Sequence, residues 1–180
     1  MPSSSAPTSD PVAATEQWLR EFVVRLDLCP FAAAPLRAGR VRISASRGVT
    51  AQEMLAELLD EVATLREGVA ATTLFVVAGA DGRPGLLDDW DEFQDIMAFS
   101  EDLLERAGDG EFVQIVGFHP DYIFGDAPLD DPANATNRSP FPMIHLLRRD
   151  EVAAAIEEHP DVAGIPERNV NLLRERAERG

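Results

Sequence analysis

The segment 119–149 concentrates most of the side chains that could do chemistry. It follows an apolar run typical of a buried strand, and five prolines interrupt it. Its histidines, carboxylates, amides and arginines are the groups that proteins use for proton transfer, anion binding and metal ligation. These candidates are His119, Tyr122, Asp130, Asp131, Asn134, Asn137, Arg138, His145 and Arg148. A long loop that also carries aromatic and apolar residues is typical of a functional site rather than of a disordered segment.

The first interpretation of this loop is an acid/base site. His119 stands at the predicted end of a strand and is the candidate proton carrier, with Asp130 or Asp131 to orient its ring. Arg138 beside Asn137 would anchor an anionic substrate, because a guanidinium binds carboxylates and phosphates bidentately. Tyr122, Asn134, His145 and Arg148 complete the predicted substrate-binding set. The alternative is structural, since Asn and Asp side chains bond neighbouring backbone and stiffen proline-rich loops.

The same residues would also suit a metal. Asp130 and Asp131 with nearby amide oxygens fit a hard cation such as Mg²⁺ or Ca²⁺, although the spacing is not that of an EF-hand loop. His119 and His145 with one carboxylate would fit Zn²⁺ or Fe²⁺, without the short-spaced signature of known zinc enzymes. The sequence therefore leaves the cofactor open.

Cys29 is the only cysteine of the chain, which excludes an intrachain disulfide and fits a reducing cytosol. A nucleophile pair with His119 is one interpretation, and haem ligation through the Cys-Pro dipeptide is another. Against both, free cysteine usually packs as a small hydrophobe, and a helix C-terminus does not favour a thiolate. The glycine-rich segment 79–85 also follows a strand, but it lacks the residues of a phosphate-binding loop and is interpreted as a rim loop.

The elements that position these residues alternate between strands and helices. Strands are predicted at 40–45, 72–78, 112–118 and, shorter, at 143–147. Helices are predicted after the start signals at Asp10, Thr50, Asp89, Asp150 and Pro166. The pattern favours a single α/β domain over residues 11–180, with a three- to four-stranded, mostly parallel or mixed sheet and flanking helices, behind a disordered tail at 1–10.

The strand order decides where a cleft would form. If the first three strands are parallel, their carboxyl ends meet on one rim, and the 119–149 loop forms one wall of a cleft there. A mixed sheet with the fourth strand antiparallel at an edge is also compatible with the pattern.

Composition excludes some classes of partner. The formal net charge is -16 and the pI is near 4.4, which argues against nucleic acid and against an anionic membrane surface. No apolar run is long enough to span a bilayer, and the N-terminus does not have the pattern of a signal peptide. A cytoplasmic protein is predicted, and its oligomeric state stays open.

Five segments resemble the pattern of a bacterial family named "domain of unknown function 1415". They are LCPFA at 28–32, FHPDYIF at 118–124, DDPANATNRSPFP at 130–142, HLLR at 145–148 and IPERN at 165–169. The likeness covers nearly the whole chain after the N-terminal tail. It implies no activity, cofactor or substrate, so the functional interpretation depends on the residues.

The leading prediction is a cytosolic enzyme that does acid/base or hydrolytic/transfer chemistry on a small anionic metabolite, in a cleft built by the 119–149 loop. The first alternative is a non-catalytic module that binds a metabolite or a protein. The second is a protein that binds a metal or haem.

Overall fold

The structure, a computed structural model, describes residues 10–79, 85–125 and 127–179. Within these ranges a four-stranded sheet packs with six α-helices. The strands are β1 (Val41–Ala45), β2 (Thr72–Val76), β3 (Val113–Phe118) and β4 (Met143–Arg148). The helices are α1 (Pro11–Trp18), α2 (Ala33–Arg37), α3 (Ala51–Arg66), α4 (Trp90–Ala107), α5 (Arg149–Glu158) and α6 (Ile165–Arg179). Most of the predicted tail and residues 80–84 of the predicted rim loop lie outside the described residues.

The sheet is mixed, with the order β1-β2-β4-β3. β1 and β2 are parallel, and β4 is antiparallel to both β2 and β3. The predicted α/β fold is confirmed, and the first three strands do run in one direction. The predicted edge position of the fourth strand is wrong, because β4 lies between β2 and β3. Met143, Ile144 and Leu146 are fully buried there, which fits a central strand.

Local sequence signals define most helix ends. The Asp10 side chain accepts from a first-turn N–H ahead of Pro11, and Thr50 and Glu53 form a complete capping box. Asp89 accepts two N–H bonds at the start of α4, and Gly108 ends that helix in the left-handed region. These predicted boundaries are confirmed. α5 and α6 begin one or two residues earlier than predicted, within the ordinary variation of helix ends.

The two faces of the sheet pack against different helices. One face contributes Phe75, Ile144 and Leu146 to a core with the buried side chains of α3 and α4. The other face contributes Leu74, Val76 and Met143 to a smaller core with the N-terminal helix and α6. Every residue of β2 is therefore buried, as its continuously apolar sequence predicts. None of the helices in the described ranges combines the length and the hydropathy that crossing a bilayer requires.

Candidate functional site

His119, the predicted proton carrier, follows β3 directly and is completely buried. Its Nδ1 accepts a hydrogen bond from the Asp121 N–H at 3.0 Å, so the proton stands on Nε2, 2.9 Å from the Leu87 carbonyl oxygen. The rings of Trp90 and Phe93 pack at centroid distances of 5.3 and 5.0 Å. Backbone groups engage both ring nitrogens. The proton-carrier role stays a prediction, and it requires one of these bonds to open.

The amide side chains of the loop bond backbone groups. Asn134 is completely buried, and its Oδ1 accepts from the Phe124 N–H at 3.0 Å while its Nδ2 donates to the Pro128 carbonyl oxygen at 2.9 Å. Asn137 Nδ2 donates to the Gly117 carbonyl oxygen of β3 at 3.4 Å. Both amides hold the shape of the loop in this conformation.

Arg138 and Tyr122 also contribute to the packing of the loop. Arg138 Nε donates to the Tyr122 carbonyl oxygen at 3.1 Å, and its Nη2 donates to that of Leu129 at 2.9 Å. The Tyr122 ring packs against Trp90 and Phe124 at centroid distances of 5.1 and 4.9 Å, and burial raises the pKa of its hydroxyl. To anchor a substrate, the Arg138 guanidinium would have to give up its hydrogen bonds to these two carbonyl oxygens.

The two predicted carboxylates lie beside the C-terminal helix. Asp131 caps a 3₁₀-helix at Pro132–Thr136 by accepting from the Ala133 N–H, and it pairs with Arg174 at 2.6 Å. The Arg174 guanidinium holds the pKa of Asp131 below its ordinary value. Asp130 is exposed and lines a cavity of about 460 Å³ with both of these side chains. Neither carboxylate bonds His119, whose ring nitrogens are engaged by backbone.

Three other predicted residues, Cys29, His145 and Arg148, meet at a cavity of about 760 Å³ on one face of the sheet. We call it the sheet cavity. Its floor comes from all four strands, and its walls come from the N-terminal helix, the segment 29–38 and α5. The lining is mainly apolar, and its largest apolar side chains include Trp18, Leu19, Val23, Phe31, Leu147 and Val152.

The register of the sheet places two rows of side chains on this floor. Thr72 pairs with Leu147 in one row, and Leu74 pairs with His145 in the next. Val116 continues the second row on β3. The third row, at the carboxyl ends of β1, β2 and β3, is filled by the smaller core. The sheet cavity therefore lies toward the amino ends of these strands, whereas the predicted cleft lay at their carboxyl ends.

The N-terminal helix changes its winding where it meets the sheet cavity. α1 continues as a π-helix, Leu19–Val24, and at its end the Arg25 N–H bonds the Arg20 carbonyl oxygen at 3.2 Å, across five residues. Trp18, Leu19 and Val23 all line the sheet cavity. π-Helical turns are rare and occur frequently at functional sites, so this wall is an independent sign of one.

The turn that carries Cys29 is held by α6. Asp27 ends the helix at a φ of +53°, and Arg168 bonds both its carboxylate and its carbonyl oxygen. Asn169 is buried and donates from Nδ2 to the Leu28 carbonyl oxygen at 2.6 Å. Burial raises the pKa of the Cys29 thiol, so the thiol stays protonated at neutral pH. Cys29 shares the sheet cavity with His145, whereas its predicted partner was His119.

His145 is a polar residue on the floor of the sheet cavity. Its Nε2 lies 2.6 Å from Thr72 Oγ1, and that hydroxyl lies 2.7 Å from the Leu146 carbonyl oxygen. The Phe118 ring packs beside it at a centroid distance of 6.0 Å. Burial lowers the pKa of His145 from 6.5 to about 4, because the imidazolium would lose its hydration there. The ring is therefore uncharged at neutral pH.

The arginines at the sheet cavity already have carboxylate partners. Arg40 pairs with Glu151 of α5 at 2.5 Å, and Arg148 bonds Asp150 at 3.0 Å. The Arg148 guanidinium also lies 5.7 Å from the Phe112 ring, toward the larger core. These pairs leave little excess positive charge for an anionic ligand.

The sequence interpretation missed several residues of this site. Trp18 was predicted only as a core residue, and Thr72 only as part of a buried strand. Two signals were available: the alternation along β4 places His145 on the face opposite to its apolar neighbours, and α5 carries Val152 and Ala155 at helical spacing. The change to a π-helix had no local signal.

The described part of the chain contains no cluster of side chains that could hold a metal ion. There, no three histidine, cysteine or carboxylate side chains stand close enough to share a metal ion. The predicted site of His119 and His145 with a carboxylate has no such arrangement in these residues.

Comparison with known proteins gives one match. A family model described as "Protein of unknown function (DUF1415)" matches residues 10–180. Neither a curated protein nor a solved structure matches the chain. The resemblance expected from the five sequence segments is confirmed.

Proposed function

The chain belongs to the DUF1415 family, whose function is unknown, and on that premise we propose that it binds a small, largely apolar molecule in the sheet cavity. The observation that carries this proposal is the cavity of about 760 Å³ above the strands. Pockets for small molecules usually measure about 300–1,000 Å³ and have a mainly apolar lining with few polar groups. Most of the lining residues are partly exposed, so the cavity opens to the surface and a ligand could enter it.

The charges around the sheet cavity support an uncharged ligand. The Arg40–Glu151 and Arg148–Asp150 pairs balance the nearby guanidinium groups, and His145 is neutral at neutral pH. An anion would lose its hydration in the apolar interior without gaining an unpaired cation. The earlier prediction of an anionic metabolite in the 119–149 loop stays a prediction, because the polar groups of that loop bond its own backbone and Arg174.

α5 supports the proposal as one wall of the cavity. It has no buried residue, although Val152 and Ala155 face the sheet cavity. A ten-residue helix gains most of its stability from tertiary packing, and here its apolar side borders an open space. A ligand in the cavity would cover that side.

The experiment is a fluorescence titration with N-phenyl-1-naphthylamine, an uncharged apolar dye that brightens in apolar sites. We expect saturable binding to the unmodified protein. Ala155→Phe, which puts a large side chain into the cavity, should weaken binding at least tenfold. The matched control is Ala153→Phe on the exposed side of the same helix, which should bind like the unmodified protein. Absence of binding, or equal loss in both variants, would contradict the proposal.

A further inference from the structure

We propose that the ligand of the sheet cavity carries an O–H or N–H group, and that His145 Nδ1 accepts the hydrogen bond from this group. The ligand class is thus an uncharged, largely apolar alcohol, phenol, aromatic amine or amide. The inference rests on the proposed function, and it adds the polar contact that selects among apolar molecules.

The position of the His145 proton follows from the bonds of Thr72. A threonine hydroxyl has one hydrogen to donate, and the Leu146 carbonyl oxygen at 2.7 Å can only accept. The Thr72 hydroxyl therefore donates to Leu146. Its oxygen, 2.6 Å from His145 Nε2, must then accept, which places the imidazole proton on Nε2. The neutral ring is left with a lone pair on Nδ1.

This Nδ1 has no hydrogen-bond partner among residues 10–79, 85–125 and 127–179. The ring lies on the floor of a mainly apolar cavity, where an acceptor without a donor is unfavourable. Water can supply that donor while the cavity is empty of ligand. A ligand without a donor would displace this water and leave Nδ1 unsatisfied, whereas a ligand with a donor would replace it.

The strand register keeps the acceptor in place. Thr72 and His145 lie on adjacent strands of the floor, and the Thr72 hydroxyl bridges the His145 ring to the backbone of β4. The bond to Leu146 crosses from β2 to β4 and does not depend on a ligand. The lone pair of His145 Nδ1 is therefore already in position before a ligand binds. Such preorganisation allows the site to favour ligands that carry a donor, because no further ordering of the protein is needed.

The test compares two uncharged probes of similar shape, 2-naphthol and 2-methylnaphthalene, by displacement of N-phenyl-1-naphthylamine at pH 7.5. Only the naphthol can donate a hydrogen bond. The measured quantity is the ratio of the two dissociation constants, because the ratio cancels changes in the apolar part of binding. In His145→Phe this ratio should shift against the naphthol by about 3- to 10-fold relative to the unmodified protein.

Two further variants guard against a folding defect. His145→Gln keeps an acceptor oxygen and should keep most of the preference. Thr72→Val has nearly the same shape as threonine, but it removes the group that fixes the Nε2 proton, so the preference should fall. An unchanged ratio in both His145→Phe and Thr72→Val would overturn the inference while leaving the apolar site intact. Failure of the dye and of both probes to bind would instead overturn the proposed function.

Discussion

Lowering the pH should destabilise this protein through His145 before its carboxylates titrate. The pKa of His145 is 6.5 in the unfolded chain and about 4 in the folded protein. Between these values the unfolded state binds more protons, so the free energy of unfolding must fall as the pH falls. Above pH 7 the ring is neutral in both states, and it has no effect on the pH dependence there.

The magnitude follows from the two pKa values. The loss relative to pH 8 is about 2 kcal/mol at pH 5 and approaches about 3 kcal/mol below pH 4. The assay is urea unfolding followed by circular dichroism at half-unit steps from pH 8 to pH 5. His145→Gln is the comparison, because glutamine does not titrate and can still donate to Thr72. The other two histidines are present in both proteins, so they cancel in the difference.

We expect the unmodified protein to lose about 2 kcal/mol more than His145→Gln between pH 8 and pH 5. Equal slopes in the two proteins would refute the burial of an uncharged His145 on the cavity floor.

Three further predictions concern the residues that hold the loops. Asn134→Ala should lower the free energy of unfolding by about 2–3 kcal/mol in urea, because it leaves buried backbone groups unsatisfied. Asn171→Ala, at an exposed position, should change it little. Arg138→Ala should lower the free energy of unfolding by about 1–2 kcal/mol in the same assay and leave N-phenyl-1-naphthylamine affinity unchanged, because Arg138 holds the loop and does not line the sheet cavity; an unchanged free energy of unfolding would contradict this packing role. Asn169→Ala should increase the rate of Cys29 labelling by a thiol reagent about tenfold under native conditions, because the turn loses its bond to α6. An unchanged labelling rate would contradict that last role.

Much of the fold could be predicted because its signals are local. The capping box of Thr50 and Glu53 and the apolar run of β2 each depend on a few neighbouring residues. The position of β4 could not be predicted in this way. Its sequence is typical of a buried strand, but the choice of neighbours depends on how the whole chain returns to the sheet. After the loop, the chain enters the sheet between β2 and β3 and runs antiparallel to both strands.

The candidate site was harder to predict, for a chemical reason. Asn134, Asp131 and Arg138 have the same donors and acceptors whether they bind a ligand or neighbouring backbone. Only the geometry distinguishes the two cases, and here they bond the backbone or Arg174. The sheet cavity is formed mainly by apolar residues that are far apart in sequence. Each of these apolar residues, taken alone, predicts a place in the hydrophobic core. The cavity that they enclose together can be recognised only from the three-dimensional structure.

The most direct test of the sheet cavity is a crystal structure of the protein with 2-naphthol. We predict that the naphthalene ring lies between α5 and the strands, with its hydroxyl oxygen about 2.7–3.2 Å from His145 Nδ1. A cavity closed by repacked side chains, or naphthol bound only elsewhere on the surface, would contradict the proposal that this space is the ligand site.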